Sequence, residues 1–289
     1  MLILNKNMPV IEELKGMIDI KTKNGKLNVS KKSKKILVLN LMPNKVKTEY
    51  HILRLLNTKK PDEEIEPFFL KLDTHKYKNI DVEYLNEFYV SLEEIKNLDI
   101  EAAIITGAPL EKIKFEEVAY WEELKGIFEF INNLKSSIFI CWGSQAALYY
   151  FHNIPKYDYK RKKFGVFKHN CENKSKLFDS LDNEDFKIPH SRYTYIKRED
   201  IKKKSSLEIL LSDENNEPVI VKDKNKIYIS GHMEYDKYNL RDEYVRDINN
   251  NLEINIPDNY FLDNKPENSP AFSWEKFSRI FYSNWLESF

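Results

Sequence analysis

Seven glycines in 289 residues leave no G-x-G-x-x-G and no Walker spacing anywhere in the chain. Without those phosphate-cradling loops, nucleotide hydrolysis and hydride transfer are not expected. Cysteine is scarcer still. Two residues, Cys141 and Cys171, cannot build a disulfide framework, and with no C-x-x-C and no H-E-x-x-H a zinc site is not expected; no metal is predicted. Net charge is absent, because 46 basic and 46 acidic side chains cancel. That argues against a dedicated binder of nucleic acid or membrane surfaces. The basic runs Lys31–Lys35 and Lys202–Lys204 also lack the interleaved aromatics of a nucleic-acid groove. No apolar run approaches the roughly 18 residues of a membrane span, and Lys6 with Pro9 interrupts the first ten residues before a secretory signal could form. The chain is therefore expected to be cytoplasmic. No repeat or heptad is visible.

What is present suits one large α/β domain: 42% hydrophobic residues and 13% aromatics. Residues 1–35 show no strong period and read as an extension lying on a domain that spans 36–289. Ile36–Leu41, Ile65–Leu72, Ala102–Thr106 and Ile138–Ile140 are short apolar runs that predict strands. Pro67 places the second of them at an edge or an irregularity. Helices are predicted from Thr48, from Ser91-Leu-Glu-Glu94 as a capping box, over Val118–Leu134, and over Gln145–Phe151. Alternating strands and helices with continuous apolar strands imply a mainly parallel sheet covered on both faces. Ligands of such sheets sit at the carboxyl ends of the strands, which here are Gly107-Ala-Pro109 and Cys141-Trp-Gly143. The second half adds strands at Leu207–Leu211, Pro218–Val221 and Ile227–Ser230. Helices over Asn239–Asn250 and Trp274–Leu286 complete the pattern.

The few glycines are informative by position. Gly16, Gly25 and Gly126 fall in loops or on a helix, whereas Gly107, Gly143 and Gly231 stand beside predicted strand ends, with Gly165 as a fourth of interest. A chain this poor in glycine keeps it mainly where a side chain would not fit. Cys141 follows a strand, has Gly143 two residues on, and precedes a helix, as in the second half of a nucleophile elbow. The helix N-terminus there favours the thiolate; equally, a lone cysteine can be a small buried hydrophobe. In Gly231-His232-Met-Glu234, an extended backbone puts His232 and Glu234 on one face. Glu234 could then orient the imidazole of a base, although an isolated H-x-E is as readily a plain surface pair. Among the remaining histidines, His190 in Pro189-His-Ser-Arg-Tyr193 is the one whose context singles it out.

A cysteine elbow followed some 90 residues later by G-H-x-E resembles the class I glutamine amidotransferase fold, which is flavodoxin-like. More closely, the chain resembles the homoserine O-acyltransferases of the MetA type. The resemblance is carried by Leu39-Asn-Leu-Met-Pro-Asn-Lys45 with Thr48-Glu49, Thr106-Gly-Ala-Pro-Leu110, Val118-Ala-Tyr-Trp121, Cys141-Trp142 with Gln145-Ala146-Ala147, Pro189-His-Ser-Arg-Tyr193, Gly231-His232 with Glu234-Tyr-Asp236, and Asn284-Trp285-Leu286. It runs from about residue 36 to the C-terminus. Two departures stand out: Met233 replaces the usual proline between His and Glu, and residues 20–35 are not family-like.

The resemblance implies ping-pong transfer of an acetyl group from acetyl-CoA, a co-substrate with no cofactor needed, to the hydroxyl of L-homoserine in methionine biosynthesis. It makes Cys141 the nucleophile, His232 the base and Glu234 its orienter. Lys162, Ser191 and Arg246 match substrate-binding positions, although Lys160–Lys163 alone would read as a solvated charge run. Gly107, Ala108 and Trp142 are the candidate oxyanion hole, and Lys45 a candidate on the CoA side. After T-G-A-P-L the family carries glycine where succinyl is used and glutamate where it is not. Glu111 therefore favours acetyl, since a second carboxylate would meet like-charge repulsion. Alternatives are a homoserine O-succinyltransferase or a glutamine-hydrolysing amidotransferase; Phe139 stands where the latter's elbow has its first glycine. Small-molecule substrates are the expected partners, and a homodimer is left open.

Overall fold

A computed structural model describes residues 1–57, 60, 62–77 and 80–289. Among them the strands are β1 (Leu2–Asn5), β2 (Ile20–Lys23), β3 (Lys34–Leu39), β4 (Ile65–Leu70), β5 (Tyr89–Val90), β6 (Ala102–Ile105), β7 (Ser136–Ile140), β8 (Tyr157–Lys168), β9 (Asn170–Cys171), β10 (Lys187–Tyr195), β11 (Glu208–Ser212), β12 (Pro218–Asp223) and β13 (Lys226–Ile229). Eleven form one sheet in the order β2-β1-β4-β3-β6-β7-β13-β12-β11-β9, with β5 beside β4. From β2 to β13 the pairings are parallel; β12, β11 and β9 continue it antiparallel.

The central parallel strands carry unbroken apolar stretches, 36–39 of β3, Ala102–Ile105 of β6 and 138–140 of β7, because both faces are covered. Successive side chains point to opposite faces. Ile36, Val38, Ile104, Ile138 and Ile140 enter one core, while Leu37, Leu39, Ala103, Ile105 and Phe139 enter the other. The helix Trp121–Asn132 buries Trp121, Leu124, Ile127, Phe128 and Ile131 at helical spacing, and Glu275–Leu286 buries Phe277, Phe281, Tyr282 and Trp285. Ser91 and Glu94 form the expected capping box.

Two features differ from the sequence reading, and a third is decided between its two alternatives. The stretch 1–35 is not laid on the domain as an extension: β1 and β2 are sheet strands, with Leu2 paired to both Ile20 and Ile65, and β3 begins at Lys34. The pattern of β2, Ile-Lys-Thr-Lys, hid it, since an edge strand is protected by lysines rather than buried. Pro67 takes the second of its two expected positions: β4 lies between β1 and β3 rather than at the edge, but its pairing is interrupted at Pro67 on one side. Its ring nitrogen faces the same side as the Ile65 N–H, which donates to Met1. On that side β1 reaches only Ile65 and β5 only Phe69 and Leu70, so Pro67 forfeits no ladder bond. Finally, β8 and β10 form a two-stranded antiparallel ribbon that no periodicity announced. Its register slips so that Tyr159–Lys162 of β8 face only Tyr193 of β10, a bulge that re-aims side chains locally.

Candidate active site

The neighbouring strands β3, β6, β7 and β13 end side by side, and their carboxyl ends deliver Asn40, Gly107, Cys141 and His232 to one place. Cys141 has φ 49° and ψ −117°, a backbone state rare for a residue with a Cβ and one that costs about 1–3 kcal/mol. Three donors onto its carbonyl hold the turn: the N–H groups of Ser144 (3.0 Å) and Gln145 (3.1 Å) and the Ser144 hydroxyl (2.8 Å). The helix Trp142–His152 starts immediately after it. No described residue accepts from the Trp142 backbone N–H, which leaves that donor of the first helical turn unpaired next to Cys141.

The four glycines set apart in the sequence are the four crowded ones. A Cβ on Gly143 would lie 2.5 Å from the Thr106 carbonyl oxygen, on Gly165 2.4 Å from Asp258 backbone, and on Gly231 2.4 Å from Ile188. On Gly107 it would press between Cys141 Cβ at 3.3 Å and His232 Cε1 at 3.4 Å. Gly16, Gly25 and Gly126 have nothing within 4 Å.

His232 Nδ1 and Glu234 Oε1 are 2.7 Å apart, and both side chains are buried. Burial alone would lower the His232 pKa. The Cys141 sulfur and the Glu234 carboxylate outweigh it and raise the imidazole well above its ordinary value. Where Met233 replaces proline, rigidity comes from elsewhere: Arg54 donates to the Glu234 and Tyr235 carbonyls (2.9 and 2.7 Å), and Trp274 Nε1 donates to the Tyr235 carbonyl (2.9 Å). Met233 itself is core.

Cys141 and His232 line a cavity of about 150 Å³ together with Gly107, Ala108, Glu111, Lys162, Ser191 and Arg246, so every candidate except Glu234, Lys45 and Trp142 lines it. Glu234 stands behind His232. The bulge in β8 explains Lys162, which is largely buried 3.2 Å from Asp247 and 3.5 Å from Glu243 rather than on a solvated face. Arg246 lies at the mouth, more exposed, with its fork on Asp247 at 2.8 and 2.6 Å. Trp142 does not line the cavity; it is buried behind Cys141, its indole N–H without a partner among the described residues.

Lys45 lines an adjoining cavity of about 310 Å³ with His75, Tyr77 and Tyr120, which shares Met42 and Pro109 with the first. Burial lowers its pKa to about 8, against the opposing pull of Glu49.

Sequence reasoning missed Glu243. It accepts from the Ser191 hydroxyl and, at 2.7 Å, from Tyr235, and it lines the cavity one helical turn before Arg246. Its spacing from Arg246 on a helix whose opposite face is exposed was the available signal.

A family model described as homoserine O-succinyltransferase matches residues 1–289. Homoserine O-acetyltransferase 1 of Ilyobacter polytropus is 43% identical over 290 residues, covering 99% of this chain and 95% of that protein. Homoserine O-acetyltransferase of Clostridium acetobutylicum is 48% identical over 255 residues, 87% and 84% of the two chains. Among solved structures, a glutamine amidotransferase from Thermotoga maritima superposes with a TM-score of 0.56 at 10% identity over 90% of this chain and 96% of that one. At that identity it speaks for the fold alone.

Proposed function

The chain belongs to the homoserine O-succinyltransferase family, and from that premise we propose that it is a homoserine O-acetyltransferase working through an acetyl-cysteine. The observation that carries the donor is Glu111 in the same small cavity as Cys141 and His232. A succinyl group bound there would bring its free carboxylate toward another carboxylate in a confined space. The relatives from Ilyobacter and Clostridium bear acetyltransferase names although the family model is described by succinyl transfer.

In the proposed reaction the Cys141 thiolate adds to the thioester carbonyl of acetyl-CoA. The oxyanion is met by the Trp142 backbone N–H and by backbone at Gly107 and Ala108. Collapse expels the CoA thiolate, which takes the proton from the His232 imidazolium and leaves a neutral imidazole beside acetyl-Cys141. The homoserine hydroxyl then adds to the acetyl carbonyl as His232 Nε2 accepts its proton, a general-base contribution of about 10²–10⁴-fold. Collapse returns the thiolate and the imidazolium. Glu234 holds His232 Nδ1–H throughout.

Homoserine has two charged ends. Lys162 and Arg246 are the cations for its carboxylate, with Ser191 beside them. Glu243 is the acceptor for its ammonium. The cavity at Lys45 adjoins through Met42 and Pro109 and is the proposed path of the CoA arm. The substrates are small molecules, and no helix of the described residues is long and apolar enough to cross a membrane. A soluble cytoplasmic setting fits a CoA-dependent biosynthetic step.

The test is intact mass after incubation with acetyl-CoA or succinyl-CoA, then with homoserine. An acetyl adduct on wild type, absent from Cys141→Ala and discharged by homoserine, is the expected result. A succinyl-only adduct would overturn the role of Glu111. Glutaminase activity without any adduct would favour the amidotransferase alternative.

A further inference from the structure

Three ionisable side chains with no part in that chemistry are buried together beside the site: His169, His190 and Arg192, exposed by 1%, 0% and 0%. Arg192 Nε donates to His190 Nδ1 at 3.0 Å. A guanidinium keeps its protons, so His190 Nδ1 is an acceptor and its proton sits on Nε2. That Nε2–H points at His169 Nε2, 3.1 Å away, which puts the His169 proton on Nδ1, facing the Phe186 carbonyl at 3.3 Å. One arginine therefore fixes the tautomer of two neutral histidines.

The same arginine reaches towards both catalytic loops. On one side, His190 packs against Gly231, its Cε1 3.0 Å from where a Cβ there would lie, after Ile188 at 2.4 Å and the Pro189 carbonyl at 2.9 Å, and the His232 N–H donates to that same Pro189 carbonyl at 2.8 Å. On the other, Arg192 NH1 donates to the Thr194 carbonyl at 2.8 Å, and the Thr194 hydroxyl donates to Gln145 Oε1 at 2.8 Å. Gln145 lies in the first turn after the elbow and donates its own N–H to Cys141. The third arm of the fork, NH2, is anchored on Glu217, which satisfies the buried charge.

We propose that Arg192, with His190 and Thr194 as its two arms, is a strut that sets the separation of the Cys141 elbow from the His232 turn. All three are positioning residues. The proposal rests on Cys141 and His232 being nucleophile and base. A planar five-donor fork suits the task because it holds three directions at once, which an ammonium on a flexible stem does not. Small errors in the thiolate–imidazole geometry are amplified in rate, since reacting groups must be held to within about 0.5 Å.

The experiment compares Arg192→Lys, Thr194→Val and Thr194→Ser in a Cys171→Ser background, measuring melting temperature, kcat, the homoserine KM and the rate of Cys141 alkylation by iodoacetamide. Thr194→Val removes one hydroxyl at nearly constant volume. It should melt close to wild type yet lose about threefold to tenfold in both kcat and alkylation rate, with KM within about twofold. Thr194→Ser restores both. Arg192→Lys, where it folds, should lose about 30-fold or more in kcat. A folded Thr194→Val with kcat and alkylation rate like wild type overturns the strut, whatever happens to Arg192→Lys. Failure of wild type to form an acetyl adduct or to be alkylated at Cys141 would instead refute the nucleophile assignment beneath it.

Discussion

Tyr235 lies flat against His232, with ring centroids 4.2 Å apart and an interplanar angle of 20°, while its hydroxyl donates to Glu243 at 2.7 Å. The proposed base and the proposed ammonium acceptor are therefore joined by one side chain. Burial, with the nearby carboxylates of Glu243 and Glu234, raises the Tyr235 pKa well above its usual value, so it stays a donor at all working pH. The stack on an imidazolium is also favourable in its own right.

Tyr235→Phe keeps the stack and removes the donor. The homoserine KM should rise about threefold to tenfold with little loss of kcat, the net worth of one ordinary hydrogen bond, because Ser191 still donates to Glu243. Glu243→Gln should raise the same KM by about 10- to 100-fold and leave the acetyl-CoA KM unchanged. Steady-state kinetics varying each substrate separates the two. A rise in the acetyl-CoA KM alone would place Glu243 on the wrong substrate.

Glu111→Gly removes the carboxylate that the free carboxylate of a succinyl donor would face. The ratio of kcat/KM for succinyl-CoA over acetyl-CoA should rise by at least about tenfold, or about 1.4 kcal/mol of discrimination. Competition between the two donors, read by mass of the product, measures it. An unchanged ratio would mean that Glu111 plays no part in donor choice.

Acid should unfold this protein early, through the histidine pair. Burial lowers the His169 pKa to about 3, and burial with the neighbouring Arg192 charge takes His190 well below its ordinary value. Both are neutral when folded, whereas the unfolded chain binds protons as pH falls below about 6.5. Stability is thus complete above that pH and falls below it, by about 1.4 kcal/mol per pH unit for each histidine until the folded pKa is reached. Urea unfolding at pH 7, 6 and 5 should show the slope, and His169→Gln should flatten it. A wild-type midpoint constant from pH 7 to 5 would contradict the assignment.

The glycines allow a paired stability test. Gly126 is mid-helix with open space around its Cα, so Gly126→Ala should stabilise by about 0.5–1 kcal/mol. Gly143→Ala would force a Cβ to 2.5 Å from a backbone oxygen and should cost several times that gain, as over-packing of backbone does. Equal melting temperatures for the two variants would mean that the elbow is looser than its geometry indicates.

Much of this was legible in the chain itself, for reasons that can be given residue by residue. Buried parallel strands write continuous apolar runs, as residues 36–39 do in β3, and crowding wrote the glycines at 107, 143 and 231. Cys141 stood out by its place between a strand and a helix, Glu111, Ser191, Lys162 and Arg246 came from a family resemblance, and all five line one cavity. What stayed hidden lacked local signal. The β8 ribbon strand is charged along most of its length because its lysines pair with acids distant in sequence, Lys162 with Asp247 and Lys163 with Asp213. Strands β1 and β2 are short and at an edge. Glu243 looked like any helix-surface glutamate until Ser191, from another element, closed on it.

Strand β13 runs parallel beside β7, with Ile229 opposite Ile140 and the Cys141 N–H bonded to the Ile229 carbonyl at 2.7 Å. The two halves of the proposed dyad are therefore joined through a ladder that closes only after about ninety further residues have been synthesised and folded between them. A chain still emerging from the ribosome carries its thiol long before it carries the imidazole. In such a chain, or in any truncation short of β13, Cys141 is an ordinary cysteine. The reactivity proposed for it is then a property of the finished sheet, and regain of the proposed acetylation during refolding would report the docking of that last parallel strand.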